Sequence, residues 1–282
     1  MLLGFNLLLW TTHVTEEHFP LFAALKRTGY DGIEVPIFEG TEDHFARVGR
    51  VLRDEGLRCN GVTVLPDQAH NAIAADPAGR AGAVERLRWA VRCLEAMGGE
   101  VLAGPFHQPL GDFTGEPATA EERERLVAVH QQAADFAAEK GVKLSIEPLN
   151  RFECYILNTV AESAELVRRV GRPGYGLLYD TFHANIEEKD PVGVIAPNLG
   201  AINHVHLSEN DRGTPGKGHV PFLETLRAFK RGGYQGWFAI EVFGRALPAL
   251  AAATKVWRDF FPSREEVYRS GHDYLRETWA KA

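Results

Sequence analysis

The stretch 139-EKGVKLSIE-147 closes one kind of structure and opens another within three residues. Upstream, 119-TAEERERLVAVHQQAADFAAEKG-141 carries apolar residues at helical spacing and stops on Gly141, the residue type favoured just past a helix C-terminus. Downstream, 142-VKLSIEP-148 is a short apolar run of the kind that forms a buried strand. Helix stop, short turn, buried strand is the connection of a parallel α/β sheet. The same order recurs in 28-TGYDGIEV-35 and 231-RGGYQGWFAIE-241.

Working outward, eight strand-like runs emerge: 3-LGFNLLL-9, 32-GIEVPI-37, 58-RCNGVTVL-65, 100-EVLAGPF-106, 142-VKLSIEP-148, 175-YGLLYD-180, 201-AINHVHL-207 and 237-WFAIEVF-243. Amphipathic segments separate them, at 16–29, 43–56, 77–98, 119–141, 160–171, a short 190–200 and 221–233, and 264–280 follows the last. Eight strands alternating with eight helices predict an α/β fold, a (β/α)8 TIM barrel in one domain spanning 1–282. Its active site belongs at the C-terminal ends of the strands.

Composition sets the outer limits. The 282 residues are 45% hydrophobic and 24% charged, enough apolar material for one large core. A net charge of −7 without any basic run disfavours nucleic acid as a partner. The apolar opening MLLGFNLLLW lacks a positive n-region and is too short to span a bilayer, so it reads as the first strand, with no membrane partner. Cys59, Cys93 and Cys154 are odd in number and show no CxxC, which points away from disulfides and zinc and toward a cytoplasmic setting.

The strand ends carry the chemistry. Glu147 closes the fifth strand, Asp180 the sixth, His206 sits in the seventh and Glu241 in the eighth. Three buried carboxylates at one rim repel each other unless a cation neutralises them. With one imidazole, the set suits Mn²⁺, Co²⁺ or Mg²⁺. His204, two residues before His206 on the same strand face, reads as a supporting or core residue, and Glu34 as a buried acid outside the ligand set. Beyond the ligands come Glu153 in 147-EPLNRFECYILNT-159, His183 in 180-DTFHANIEE-188 and Arg212 in 206-HLSENDRGTPGKG-218, loop groups able to hydrogen-bond the hydroxyls of a sugar-like substrate. Gly213, Gly216 and Gly218 allow that last loop to fold over the site. His219 belongs either to its rim or to solvent.

The segments IEPLNRFE, YDTFHANIEE, HVHLSENDRGTPGKGHVPF and IEVF, with VWRDF after them, resemble the sugar isomerase/epimerase (xylose isomerase-like) barrels, most closely the ketose 3-epimerases acting on tagatose or allulose (psicose). The resemblance implies that Glu147, Asp180, His206 and Glu241 bind Mn²⁺ or a similar ion, and that Glu147 and Glu241 also exchange the substrate proton. It implies that Glu153, His183 and Arg212 hold the O1 to O3 end of an unphosphorylated ketose, in a homo-oligomer. The reaction it implies is reversible C3 epimerisation of fructose/allulose, tagatose/sorbose or ribulose/xylulose through a metal-stabilised cis-enediolate. Trp10 resembles an aromatic of the family's first-strand rim, and His107 is expected beside it in the wall around C4 to C6.

The segments 60-NGVTVLPD-67 and 103-AGPFHQPLG-111 depart from the family pattern, in the region that meets the far end of the sugar. The alternatives are a hydroxypyruvate, inosose or aldose–ketose isomerase on the same scaffold, an abasic-site endonuclease, or a sugar-binding barrel without catalysis. The second would need more ligands on strands two and three and a basic groove. The third would be expected to lack one of the four ligands, and none is missing.

Overall fold

The computed structural model describes all 282 residues. Eight parallel strands, β1 (Leu2–Asn6), β2 (Gly32–Pro36), β3 (Arg58–Val62), β4 (Val101–Gly104), β5 (Lys143–Ile146), β6 (Tyr175–Asp180), β7 (Ile202–Leu207) and β8 (Trp237–Ile240), pair in chain order. The sheet closes where β1 pairs with β8, Gly4 opposite Ala239. The outer ring holds α1 (Phe19–Thr28), α2 (Glu42–Asp54), α3 (Pro77–Met97), α4 (Ala120–Glu139), α5 (Val160–Val170), α6 (Thr181–Glu187), α7 (Ile195–Asn198), α8 (Phe222–Arg231), α9 (Pro248–Ala253) and α10 (Arg264–Lys281). No helix is long and apolar enough to cross a membrane.

All eight expected strands are present, most of them shorter than their apolar runs. β1 ends at Asn6 because the Asn6 side chain accepts a hydrogen bond from the Leu8 amide and starts a 3-10 turn over Leu7–Leu9. Two helices were not expected. The segment read as a loop after the sixth strand is α6, nucleated by Asp180, whose carboxylate accepts from the Phe182 amide as an N-cap. α9 follows β8 and begins on Pro248. In the expected helix at 190–200, regular helix is confined to Ile195–Asn198 and a following 3-10 turn.

The barrel interior divides by polarity. Val101, Ala103, Leu178 and Trp237 fill its lower part, with Leu2 against them. The Trp237 indole lies so close to β2 that a Cβ at Gly32 would stand 2.6 Å from it, so only glycine fits there. Higher up, Asn6, Glu34, Ser145, His204 and His206 are all buried inside the sheet. Polar groups are thus concentrated toward one mouth, while Phe22, Phe45, Leu94, Phe229 and Leu275 belong to the apolar layer between sheet and helices.

One buried histidine braces this frame. His130 on α4 meets the Phe106 carbonyl at 3.0 Å through Nε2 and the Tyr175 hydroxyl through Nδ1. Burial pushes its pKa down to about 4, against about 6.5 in an unfolded chain. Above pH 6.5 neither state holds the extra proton and the full stability is present. Between 6.5 and about 4 the unfolded chain binds a proton that the native state refuses, so stability falls by about 1.4 kcal/mol per pH unit. Other buried histidines such as His183 add to the total slope, so the His130 share is read by difference: denaturant unfolding of His130→Gln across this window should show a slope flatter than wild type by about 1.4 kcal/mol per pH unit, even if the variant is less stable throughout.

Candidate active site

Four strands deliver the central cluster. Glu147 follows β5, with its amide tied to the Gly104 carbonyl at 3.0 Å, and Glu241 follows β8, tied to the Leu207 carbonyl at 3.3 Å. Asp180 ends β6 and lies in register with His206 on β7. One ligand atom from each of the four residues falls within 4.8 Å of those of the others, and all four residues are buried. His206 Nδ1 faces the three acids, 3.3 Å from Glu241 Oε1 and 3.8 Å from both Asp180 Oδ2 and Glu147 Oε1.

A divalent cation fits this donor set. Glu147 Oε1 and His206 Nδ1 are buried without a hydrogen-bond partner, and both point into the cluster. Burial, reinforced by Glu241, drives the Glu147 pKa well above the carboxylate range, the mark of an acid placed where its charge lacks compensation. Three carboxylate oxygens and one imidazole nitrogen suit a hard or borderline ion.

Arg212 supplies the one buried guanidinium. Its Nη1 donates to Glu241 Oε2 at 2.7 Å, to Ser208 Oγ at 3.1 Å and to Asp180 Oδ2 at 3.3 Å. Its plane lies 3.8 Å from the Phe182 ring centre and 4.8 Å from that of Phe243, so two aromatic faces hold it. Burial works against an ionised Asp180, but Arg212 together with His206 and His183 holds that carboxyl below its usual range.

The loop that carries Arg212 is organised by a residue the sequence reading passed over. Glu209, fully buried, accepts from the amides of Asn210, Gly216 and Val220 at 3.1, 2.9 and 2.9 Å. Arg212 itself has φ +65°, a left-handed conformation that costs a non-glycine residue about 1–2 kcal/mol. Backbone bonds to Glu209 and Phe243 hold it there. His219 is exposed to solvent.

His183, on α6, accepts from the Asn150 amide through Nδ1 at 3.0 Å, which leaves its ring proton on Nε2. Burial, helped by Arg212, lowers its pKa to about 3, so the ring is neutral. Nε2 then meets Arg212 Nη2 at 2.9 Å, donor against donor. A substrate oxygen accepting from both would relieve that contact. Glu153 stands nearby, its carboxylate held by Asn150 Nδ2 at 2.8 Å.

Glu147, Glu153, His183, Arg212 and Glu241 line one side of a cavity of about 230 Å³. Its other side is apolar, with Leu8, Phe38, Val64 and Leu110 among the lining residues. Trp10 and His107, expected in that wall, do not line it. The 3-10 turn after β1 presents Leu8 instead and packs Trp10 on Phe5 and Tyr268, ring centres 5.1 and 6.3 Å away. His107 is fully buried, and the β4 loop offers Pro105 and Leu110 to the cavity.

Beneath the cluster lies a layer that was only partly legible in the sequence. Glu34 of β2 meets His204 Nε2 at 2.7 Å with one oxygen and His206 Nε2 at 2.8 Å with the other. Asn6 Nδ2 donates to Glu34 at 2.8 Å and to Glu241 at 3.3 Å. The available signal was a lone acid in the otherwise apolar run 32-GIEVPI-37.

Comparison with known proteins shows the family. The family described as xylose isomerase-like TIM barrel matches residues 22–278. A probable ketose 3-epimerase of Synechocystis sp. is 31% identical over 98% of this chain and 96% of its own length. An L-ribulose 3-epimerase of Methylomonas sp. is 32% identical over 91% and 90%. A crystal structure of a Methylomonas sp. D-allulose 3-epimerase in complex with D-allulose superimposes with a TM-score of 0.92 at 29% identity, covering 99% of this chain and 97% of that one. This chain therefore belongs to the xylose isomerase-like TIM-barrel family and stands among its ketose 3-epimerases, enzymes of the isomerase class.

Proposed function

We propose that this enzyme interconverts unphosphorylated ketoses that differ in configuration at C3, of the fructose/allulose, tagatose/sorbose or ribulose/xylulose kind. The observation that carries the reading is the placement of Glu147 and Glu241. They come from non-adjacent strands, line the same cavity, and both point at the cluster shared with Asp180 and His206. Inverting C3 requires removing a proton from one face of the substrate and returning one to the other, which asks for two carboxyl groups flanking one carbon. In one direction Glu147 takes the proton and Glu241 delivers one; in the reverse direction the roles exchange. Loss of the proton leaves an enediolate across C2 and C3.

Glu147, Asp180, His206 and Glu241 would hold a divalent ion, Mn²⁺ ahead of Co²⁺ or Mg²⁺. When bound, it supplies Lewis acidity that makes the C3 proton removable and steadies the developing negative charge. Arg212 and His183 orient the O1 to O3 end through their converging N–H groups, and Glu153 accepts from a hydroxyl there. The lining has no cationic side chain besides Arg212, which the carboxylates already engage, and this supports a substrate without phosphate. Trp10 and His107 receive no substrate contact in this reading. A cytoplasmic homo-oligomer completes it, supported by three free buried cysteines and by the exposed Phe152 and Trp257 side chains.

Reaction in D₂O should place deuterium at C3 of the ketose and leave C1 unlabelled. Label confined to C1 would instead indicate an aldose–ketose isomerase. Glu147→Gln and Glu241→Gln should each abolish net inversion, with bound ion measured in both because each residue is also a proposed ligand.

Removing the ion with EDTA should stop turnover and lower Tm. Returning Mn²⁺ at a hundred times its Kd should restore about 2.7 kcal/mol of stability. An unchanged melt would overturn the proposed ion site.

Arg212→Ala and His183→Ala should retain stoichiometric Mn²⁺ while turnover drops about a hundredfold or more. Loss of the ion from either variant, read by metal analysis, would move that residue into the ligand set.

A further inference from the structure

We propose that Glu34, which lies outside the ligand set, is the positioning residue that decides which nitrogen His206 turns toward the carboxylate cluster, and thereby sets how tightly the divalent ion is held. This inference rests on the ion site proposed above.

Glu34 is 1% exposed, and its two oxygens take separate partners, His204 Nε2 at 2.7 Å and His206 Nε2 at 2.8 Å. An ionised carboxylate only accepts, so each of those nitrogens must carry a hydrogen.

Asn6 supports the acceptor role from outside the two histidines. Its Oδ1 is occupied by the Leu8 amide at 2.9 Å, which fixes the amide orientation. Its Nδ2 is therefore the group facing the Glu34 oxygen that His206 also uses, at 2.8 Å. With Asn6 already donating to it, that oxygen favours the ionised form, which accepts from His206 as well. With its proton held on Nε2, neutral His206 has a bare Nδ1, and that is the atom 3.3 to 3.8 Å from the three carboxylates. Without Glu34 the ring proton is free to move to Nδ1, where it would bond a carboxylate and close the ligand position.

His204 completes the clamp. It sits two residues earlier on β7, facing the same way, with its ring centre 5.3 Å from that of His206 at an interplanar angle of 75°. By occupying the second oxygen it leaves the Glu34 carboxylate little freedom to rotate. Its own Nδ1 has no partner within the fold. The carboxylate is thus oriented from three sides by β1 and β7, so that β2, which gives no ligand, controls one. Partners of this kind behind a ligating imidazole typically change metal affinity ten- to a hundredfold.

The test compares Glu34→Ala with Glu34→Gln by titrating metal-free protein with Mn²⁺ and reading the free ion by electron paramagnetic resonance. Glu34→Ala should weaken binding about ten- to a hundredfold. Glutamine still has one acceptor oxygen. The Asn6 donor should draw that oxygen to the His206 side, and His204 can accept from the amide by moving its proton to Nδ1. Glu34→Gln should therefore recover most of the lost affinity, a rescue that a general loss of packing would not show. Wild-type affinity in folded Glu34→Ala, or equal losses in both variants, would overturn the proposal.

Should Glu34→Ala fail to fold, ¹⁵N spectra of the wild-type protein loaded with diamagnetic Mg²⁺ decide the matter. Protonated Nε2 with unprotonated Nδ1 on His206 supports the inference, and the opposite tautomer refutes it. If the wild-type protein binds no Mn²⁺ at all, the failure belongs to the ion site itself.

Discussion

Three carboxylates, Glu147, Asp180 and Glu241, converge on one point where none is more than 5% exposed, and that convergence is the constraint around which the upper barrel is built. Left alone, such a group opposes folding, because charge removed from water and set beside like charge is unfavourable on both counts. The surroundings answer with positive charge and donors. Arg212 reaches Glu241 and Asp180, Asn6 donates to Glu241, and the cluster retains unpartnered atoms, His206 Nδ1 and Glu147 Oε1, that an ion would satisfy. Much of the surrounding architecture can be understood as holding these compensating groups in place.

Arg212 illustrates how far the compensation extends. Its guanidinium is useful only if its direction is fixed, so the chain holds residue 212 in a left-handed conformation, closes its loop on the buried Glu209 and clamps the side chain between Phe182 and Phe243. Phe182 lies on α6, which Asp180 caps, and Phe243 follows β8 just beyond Glu241. The acids that need the cation and the aromatic faces that hold it thus arrive on the same elements. Local strain at one residue is balanced by contacts from two neighbouring strands.

The mouth is also divided. The β5 to β8 side presents the acids, His183 and Arg212, whereas Leu8, Phe38, Val64 and Leu110 come from the β1 to β4 side. The first half nevertheless reaches the polar cluster from below, through Asn6 and Glu34. Closure of β1 on β8 makes this possible, since it places the first strand beside the last ligand. An open sheet of the same strands would leave Asn6 and Glu241 at opposite edges.

The sequence by itself determined the barrel, because glycine stops before apolar runs are local signals that repeat with every unit, and it pointed to Glu147, Asp180, His206 and Glu241 because strand ends are countable positions. It did not disclose α6, since Asp180 read as a strand end and His183 as loop chemistry until the N-cap that Asp180 provides was seen. Trp10 and His107 were misplaced for a related reason: one 3-10 turn after β1 and the course of the β4 loop decide which neighbour faces the cavity, and hydrophobic period does not specify either. Glu34 and Asn6 could be seen as polar residues in apolar strands, but their partners lie 170 and 235 residues away at His204 and Glu241. Only closure of the sheet brings those groups within hydrogen-bonding distance, and so only the tertiary structure could decide which nitrogen of His206 is left to face the acids.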